Sequence, residues 1–356
     1  MNSENIKKVL IIRLSALGDV AISIPVVYSV CRAYPAIRFT MLTSPAAAGL
    51  FLDKPDNLTV VPAHIRGRHA GLKGIYTLYK ELRDSSFDAV ADLHDVLRSR
   101  LLRQLLSLSG CRTVHIDKGR RDKRKLTARR KKCRQPLTSS ADRYAAVFYR
   151  LGLPFQNTFT TLFTTRPPLP EGLLPDTGQP IIGIAPFAKH KGKIYPPEYM
   201  EQVIATLAAS GRYRLLLFGG QGEESRQLAE WEQQYGNTLS LAGKNLGFET
   251  ELAIISHLSV MLSMDSANMH LASLVGTPVV SVWGATHHWA GFMGWNQHEN
   301  RAIGLDLPCR PCSVFGNRPC RRKDYACLYG IAPQTIIEKV KSEAESQKQS
   351  GNIPQM

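Results

Sequence analysis

The chain alternates short apolar runs with amphipathic segments, and it does so twice. Residues 7–13 (KKVLIIR) form a continuous β-branched run flanked by charge, which is typical of a buried parallel strand. Strand-like and helix-like segments alternate to residue 153, and the alternation restarts at residue 181. Residues 163–180 between them are rich in Pro and polar residues, as linkers are. This pattern predicts an α/β protein with two doubly wound parallel sheets.

The length of 356 residues suits two domains of this kind. We predict an N-terminal Rossmann-like domain over residues 1–168, a linker over 169–180 and a C-terminal Rossmann-like domain over 181–356. The last helix, near residues 333–347, could pack back on the N-terminal domain. Doubly wound sheets bind ligands at the carboxyl ends of their strands, so we expect the site in a cleft between the domains.

Apolar stretches of roughly 5 to 8 residues are too short to span a bilayer. The N-terminus, MNSENIKK, leads straight into the first strand without the apolar run of a signal peptide. These features predict a cytoplasmic protein, and a monomer is the default expectation.

The formal net charge of +16 predicts an acidic partner, such as a nucleic acid, an anionic membrane face or a phosphorylated substrate. Residues 111–134 alone carry twelve Lys or Arg and two Asp. This run is either a solvated loop or an electrostatic cradle for an anionic acceptor or for lipid headgroups. It lacks interleaved aromatic residues, which argues against a base-stacking surface, so no nucleic-acid partner is expected.

Four of the seven cysteines have the spacing C-x2-C-x7-C-x6-C: Cys309, Cys312, Cys320 and Cys327. Cytosolic chains rarely keep disulfides, and four thiolates can bind zinc. The second half of the pattern lacks the close pairing of a zinc ribbon. Free thiols in a loop are therefore the favoured interpretation, with a zinc site as the alternative.

Polar residues follow five of the predicted strands, at their carboxyl ends. These stretches are Ser15–Asp19, Lys189–Lys193, Gly219–Glu224, Asp265–His270 and Gly284–Thr286. Each has a purely structural explanation: Asp19 and Asp265–Ser266 could cap helices, and Gly219–Gly220 could form a tight turn. For the first helix, either Asp19 caps a helix that kinks at Pro25, or Ser23 caps a helix whose first turn holds Pro25.

Together these stretches contain the groups that a nucleotide-sugar site requires. A helix that begins at Ser266 offers backbone amides to a diphosphate, and a lysine adds a positive charge. An acidic residue after a Gly pair can accept hydrogen bonds from ribose hydroxyls. Asp19, in the other predicted domain, can act as a general base.

Several of these motifs resemble those of the family 9 glycosyltransferases, the ADP-heptose:lipopolysaccharide heptosyltransferases. VLIIRLSALGDVAISIPVVYSV (residues 9–30) resembles the opening strand and Gly-Asp loop of that family. MDSANMHLASLVGTPVVSVWGAT (residues 264–286) resembles its nucleotide-binding motif. KIYPPEYM (residues 193–200) and the Cys-bearing residues 307–328 give further support.

The resemblance implies a GT-B fold and the inverting transfer of a heptose from ADP-heptose to the inner core of lipopolysaccharide, without a required metal or other cofactor. The acceptor would be a Kdo or heptose sugar of the core or of a lipid A precursor, reached at the cytoplasmic membrane face. The enzyme would then be cytoplasmic and peripheral to that anionic surface.

The resemblance also implies roles for individual residues. Asp19 would deprotonate the acceptor hydroxyl, and Arg13, Ser15 and Gly18 would bind the acceptor. The donor would be held by Lys193 at the diphosphate, by Glu223 or Glu224 at the ribose, and by Asp265, Ser266, Ala267, His270 and Thr286 at the heptose and diphosphate.

The sequence departs from the family at two places. Ala267 stands where Gly is usual, and an added methyl group could crowd the donor. Residues 287–301 lack the usual Pro-containing sequence after Gly-x-Thr. Either His287, His288 and Trp289 reshape the base pocket, or they form only an unusual loop, which is the favoured interpretation.

Three alternatives stay open at this point. They are a GT-B-like transferase that uses another nucleotide sugar, a sugar-nucleotide epimerase, and a basic binding protein with a degenerate sugar site. Metal content and the salt dependence of DNA binding would discriminate among them.

Overall fold

The computed structural model describes residues 6–173 and 178–349. The chain divides into two compact units, of which the first comprises residues 1–119 and 138–162 and the second comprises 120–137 and 163–356. This division differs from the predicted one chiefly because residues 120–137 belong with the C-terminal unit. Part of the predicted linker, residues 174–177, lies outside the described residues.

The first unit contains a five-stranded parallel sheet in the order β3-β2-β1-β4-β5. Its strands are β1 (Lys8–Ile12), β2 (Arg38–Thr43), β3 (Leu58–Pro62), β4 (Ala89–Asp92) and β5 (Arg112–His115). Its helices are α1 (Leu17–Ala33), α2 (Pro45–Ala48), α3 (Gly71–Arg83), α4 (Leu97–Leu108) and α6 (Ser140–Arg150), while α5 (Arg120–Leu126) belongs to the second unit.

Helix α1 starts at neither of the two predicted positions. It begins at Leu17 after Ala16, continues through Pro25, and holds Asp19 in its first turn rather than at the cap. Every residue from Val20 to Cys31 is buried, so the helix is enclosed on all sides. This packing holds the helix together across Pro25, where one backbone hydrogen bond is lost.

The second unit contains a six-stranded parallel sheet in the order β11-β10-β9-β6-β7-β8. Its strands are β6 (Ile181–Ala185), β7 (Arg214–Leu217), β8 (Thr238–Ser240), β9 (Val260–Met264), β10 (Val279–Val282) and β11 (Ala302–Ile303). Its further helices are α7 (Pro197–Ala209), α8 (Glu223–Gln234), α9 (Gly247–Ser256), α10 (Ala267–Leu274), α11 (Ala326–Tyr329) and α12 (Pro333–Gln349). Helices connect the strands of both sheets, which confirms the prediction of two doubly wound α/β sheets.

The last helix, α12, packs within the second unit. It lies against α7 and against strands β9 and β10. Its apolar side chains Ile336, Ile337 and Val340 are buried in the same core as Val203 of α7.

The basic segment, which we define as residues 120–137, is held on the second unit by its own cations. The Lys132 ammonium donates to the carbonyls of Cys309 and Pro311 at 2.8 and 2.9 Å. The Arg134 guanidinium contacts Asp306 at 3.0 Å. The segment is therefore an anchored part of this unit rather than a loop attached only at its ends.

In each sheet one pair of neighbouring strands marks the point where the strand order reverses. This pair is β1 and β4 in the first unit and β6 and β9 in the second. Loops that leave these strands at their carboxyl ends diverge to opposite faces of the sheet and leave a crevice there. Most of the predicted site residues lie at these two edges.

Candidate functional site

Asp19 forms an ion pair with Arg13 at the edge of the first sheet. Arg13 follows β1, and its guanidinium lies 2.5 Å from Oδ2 of Asp19. The same guanidinium donates to the carbonyl of Leu93, after β4, at 2.8 Å. Arg13 thus joins the ends of the two strands at which the order reverses, and it holds the carboxylate of Asp19 in place.

The surroundings of Arg13 explain how a buried cation is tolerated there. Burial lowers the pKa of Arg13, but Tyr144 and Asp19 outweigh this effect and the pKa is raised. Tyr144 of α6 lies beneath the guanidinium, 5.6 Å from ring centroid to Cζ. Because Arg13 is buried and both arms are engaged, it positions Asp19 rather than presenting a free cation to an acceptor.

The loop after β4 brings a further residue, His94, to this edge. Asp92 is fully buried, and its Oδ1 accepts from the backbone N–H groups of His94 and Asp95 at 2.9 and 2.8 Å. Its other oxygen accepts from Arg103 at 2.9 Å. These three bonds hold the turn that carries His94.

In the second unit, Lys193 and Asp265 meet at the ends of β6 and β9. The Lys193 ammonium lies 2.8 Å from Oδ2 of Asp265, but off the directions of a hydrogen bond to that oxygen. Asp265 is buried directly after β9, and Lys193 ends a short 3-10 helix (Lys191–Lys193) in the loop after β6. Two residues 72 positions apart in sequence thus form one ion pair.

Glycines allow the backbone to approach closely around Lys193. A Cβ at Gly316, where φ is +73°, would lie 2.6 Å from the Lys193 side chain. A Cβ at Gly284 would lie 2.6 Å from the carbonyl oxygen of Gly192. Neither position tolerates a side chain without displacement of the lysine loop.

The predicted diphosphate-binding residues surround the start of α10. Ser266 is the N-cap residue, and its hydroxyl contacts that of Ser263 at 3.2 Å rather than a backbone amide of the helix. Ala267 begins the helix without a positive φ, so the methyl group causes no backbone strain. His270 is buried one turn later. Thr286 is fully buried after β10, and its hydroxyl has no hydrogen-bond partner among the described residues.

The two predicted ribose-binding acids have different surroundings at the start of α8. Oε2 of Glu224 accepts from the backbone N–H of Gly220 at 2.7 Å and closes the turn after β7. Glu223 is exposed. The sequence could not separate these adjacent residues, because only the closed turn shows that Glu224 is engaged.

A cavity of 240 Å³ opens at the ends of β7 and β8. Apolar, glycine and polar residues all contribute to its wall. Its lining residues are Phe218, Gly219, Gly220, Gln221, Leu241, Gly243, Asn245, Leu246, Gly247, Phe248 and Glu251. None of His287, His288 and Trp289 lines it, and instead the Trp289 carbonyl accepts from the backbone N–H of Leu137 in the basic segment.

The four clustered cysteines line a second, larger cavity of 640 Å³ in the same unit. Basic side chains, including Arg129, Lys132 and Arg321, share its wall. Across residues 6–173 and 178–349, no group of three His, Cys, Asp or Glu side chains could hold a metal ion. Cys309, Cys312, Cys320 and Cys327 are free thiols in this structure.

The structure therefore brings together Arg13 with Asp19, and Lys193 with Asp265. Ser15 and Gly18 lie in the loop and first turn that carry Asp19. Sequence reasoning missed His94. The pattern gave no clear signal for it, because His94 falls inside the strand predicted over residues 88–95, whereas β4 ends at Asp92. Its place at this edge also depends on β4 being the neighbour of β1.

Comparisons with known proteins identify the family of this chain. The family model described as glycosyltransferase family 9 (heptosyltransferase) matches residues 75–323, well over half of the chain. Lipooligosaccharide heptosyltransferase 2 of Campylobacter jejuni is 22% identical over 330 residues, which cover 91% of this chain and 95% of that protein.

Two solved structures show the same fold. A glycosyl transferase family 9 protein from Veillonella parvula has a TM-score of 0.74 and 17% identity, with 96% of this chain and 98% of that chain covered. E. coli heptosyltransferase WaaC with ADP has a TM-score of 0.65 and 18% identity, with 96% and 99% covered. The predicted GT-B fold is confirmed, and the chain is a glycosyltransferase that belongs to family 9, the heptosyltransferase family.

Proposed function

We propose that the enzyme transfers a heptose from ADP-heptose to a sugar of the lipopolysaccharide inner core, with inversion at the anomeric carbon. The observation that carries this proposal is the pair of strand-end sites, with a half-exposed carboxylate at Asp19 in one unit and a lysine beside a helix N-terminus in the other. An inverting transfer requires a base at the acceptor and positive charge at the departing diphosphate.

In the proposed reaction, Asp19 accepts the proton of the acceptor hydroxyl. The hydroxyl oxygen forms a bond to the anomeric carbon as the bond between that carbon and the diphosphate oxygen breaks. The electron pair leaves with ADP, whose charge the Lys193 ammonium and the amides at the start of α10 stabilise. Arg13 takes no proton in this scheme and holds Asp19 in place.

The nucleoside part of the donor is assigned to the 240 Å³ cavity at the ends of β7 and β8. Its volume and its mix of apolar side chains and backbone suit a flat nucleobase. We assign the ribose hydroxyls to Glu223, since Glu224 already accepts a hydrogen bond from Gly220. Ala267, whose φ is ordinary, is expected to leave room for the donor.

We propose that the acceptor is an anionic, lipid-linked sugar, because the basic segment carries exposed positive charges. Lys132 and Arg134 anchor this segment, which leaves other cations exposed: Arg121, Arg124, Lys125, Arg129, Arg130 and Lys131. No helix in the described parts of the chain is long and apolar enough to cross a membrane. Because these cations are exposed, we propose peripheral binding to the anionic inner face of the cytoplasmic membrane, with each basic residue near the surface contributing about 1 kcal/mol. The monomeric state remains a prediction.

Turnover of defined donors tests the proposal. The enzyme is incubated with ADP-heptose, or with UDP-glucose as a control donor, and with Kdo-bearing lipid A or the same acceptor already carrying one heptose. ADP release and a product mass increased by one heptose are expected with ADP-heptose. Transfer from another sugar nucleotide alone would refute the assigned donor, and an isomerised donor without an acceptor product would indicate an epimerase.

Flotation with vesicles tests the membrane assignment. Vesicles with anionic lipid are expected to bind the enzyme at low salt and to release it as salt screens the charges. Charge reversal at Arg130 and Lys131 is expected to weaken binding, whereas reversal at the exposed Lys54 serves as the control. Equal binding to neutral vesicles would contradict the assignment.

A further inference from the structure

His94 lies at the edge of the first sheet that carries Asp19, yet the mechanism above gives it no role. It follows β4, the strand that pairs with β1. Arg13 links the two places, because one arm of its guanidinium contacts Asp19 and the other donates to Leu93, the residue before His94. His94 as a whole residue is 9% exposed, so the protein largely encloses it.

One hydrogen bond determines where the proton of this imidazole lies. The backbone N–H of Leu14 donates to Nδ1 of His94 at 3.3 Å. A backbone N–H can only donate, so Nδ1 is the acceptor and the proton of the neutral ring is on Nε2. Burial, followed by the charges of Arg13 and Lys118, lowers the pKa of His94 to about 3, so the ring is neutral at pH 7.

The Nε2–H group has no hydrogen-bond partner within residues 6–173 and 178–349. It is an uncharged donor in a fixed orientation, at the same sheet edge as a carboxylate. Because Nδ1 is occupied and Nε2 already carries the proton, His94 cannot serve as the base. A hydrogen bond donated to the attacking oxygen would lower its nucleophilicity, so a neighbouring oxygen is the better partner.

We propose that His94 positions the acceptor sugar by donating a hydrogen bond from Nε2–H to an oxygen adjacent to the hydroxyl that Asp19 deprotonates. This inference rests on the proposed function for the identity of the two substrates. It makes His94 a specificity-determining residue, since an acceptor sugar without an oxygen at that place would leave the Nε2–H group without a hydrogen-bond partner.

Two amide substitutions test the roles of the two ring nitrogens of His94 separately. In His94→Asn, the side-chain oxygen can take the place of Nδ1 and accept from Leu14, but nothing reaches the place of Nε2. In His94→Gln, the amide nitrogen can reach the place of Nε2 and donate, but the contact with Leu14 is lost. His298→Asn, at an exposed position in the second unit, is the control.

The kinetic constants are measured with ADP-heptose and Kdo-bearing lipid A, and the fold of each variant is checked by thermal melting. His94→Asn is expected to raise KM for the acceptor about tenfold or more, with KM for ADP-heptose unchanged. His94→Gln is expected to stay within about threefold of the wild type for the acceptor, even if its melting temperature falls.

Wild-type kinetics in His94→Asn would overturn the proposal, because that variant keeps only the structural contact. An equal loss of acceptor affinity in both variants would overturn it as well. A wild-type enzyme that uses a different sugar nucleotide would refute the proposed donor alone. The comparison of variants is then made with that nucleotide, since the role of His94 concerns the acceptor.

Discussion

Both units contain an ion pair at a strand end, but the more exposed member of the pair is a carboxylate in the first unit and an ammonium in the second. Each places an ion pair where the strand order reverses, Arg13 with Asp19 in the first unit and Lys193 with Asp265 in the second. In the first pair the side chain of the cation is 8% exposed and that of the carboxylate 30%. In the second pair the cation is 16% exposed and the carboxylate 5%.

The member that remains accessible differs between the units, and so does the chemistry that it can perform. An accessible carboxylate held by a buried guanidinium can take a proton from a hydroxyl. An accessible ammonium held by a buried carboxylate can meet an anion. In both cases the buried member limits the conformations of its partner, which favours catalysis because the geometry is set before the substrate binds.

Removal of the accessible carboxylate is expected to have the largest effect. Asp19→Asn keeps an oxygen that can accept from Arg13 but removes the base. We expect kcat to fall at least about 100-fold without loss of fold, as measured by ADP release and thermal melting. Asp84→Asn, at a largely exposed carboxylate in the same unit, is the control. Wild-type turnover in Asp19→Asn would show that this ion pair is only structural.

Removal of the accessible ammonium is expected to affect both donor use and stability. Lys193→Ala is expected to lower kcat/KM for ADP-heptose about 10- to 100-fold, since the leaving diphosphate loses a cation. It also leaves Asp265 buried without its partner, which is expected to cost about 3 kcal/mol of unfolding free energy. Lys193→Arg should restore stability more than activity. An unaltered KM and kcat in Lys193→Ala would contradict a role at the diphosphate.

Glu223 and Glu224, the adjacent acids at the start of α8, are expected to have different roles in the second unit. Glu223→Ala is expected to raise the Kd of ADP about tenfold with unchanged stability, because it removes a ligand of the ribose. Glu224→Ala is expected to lower the unfolding free energy by about 1 kcal/mol, because it opens the turn at Gly220. Calorimetry with ADP and chemical denaturation measure the two effects. The reverse pattern would exchange the assigned roles.

Each unit also contains a histidine whose pKa is lowered to about 3, His94 in the first and His287 in the second, with burial as the main cause. Below pH 6.5 the unfolded chain binds protons that the folded chain does not, so stability falls with falling pH. Between pH 6.5 and pH 5 we expect a loss of about 1.5 kcal/mol per histidine. Denaturation of His287→Gln over this range should show a smaller loss than the wild type. If the unfolding free energy of His287→Gln and that of the wild type depended on pH with the same slope, His287 would titrate normally.

The smallest effect is expected at Ala267. Ala267→Gly is expected to change kcat less than about twofold and to lower stability by about 0.5 kcal/mol, because Ala267 has ordinary helical geometry. Kinetics with ADP-heptose and thermal melting check both. A tenfold gain in activity would show that the methyl group obstructs the donor.

Local pattern was sufficient to predict the doubly wound class and the edges at which the site residues lie. Residues 7–13 were recognised as a strand because a continuous apolar run identifies a buried parallel strand without knowledge of its neighbours. Both predicted starts of α1 were wrong, because the helix begins at Leu17 without a side-chain cap, whereas the prediction required a capping side chain at Asp19 or Ser23.

The partners of the polar residues could not be predicted in the same way. Asp19 was predicted to act as a base, a prediction that stands untested. Arg13 was expected to bind the acceptor, but it is buried against Tyr144. The basic segment was expected in the N-terminal domain and belongs to the second unit. Both outcomes depend on contacts between residues far apart in sequence, which hydrophobic periodicity does not encode.

By itself, the sequence determined the two sheets, the order of the motifs and the types of chemical group at the strand ends, because these follow from local composition and spacing. Tertiary structure alone decided which member of each ion pair is buried, which acid of α8 is engaged and which nitrogen of His94 carries the proton. The physical reason is that burial and hydrogen-bond partners arise only when strands β1 and β4, or β6 and β9, become neighbours.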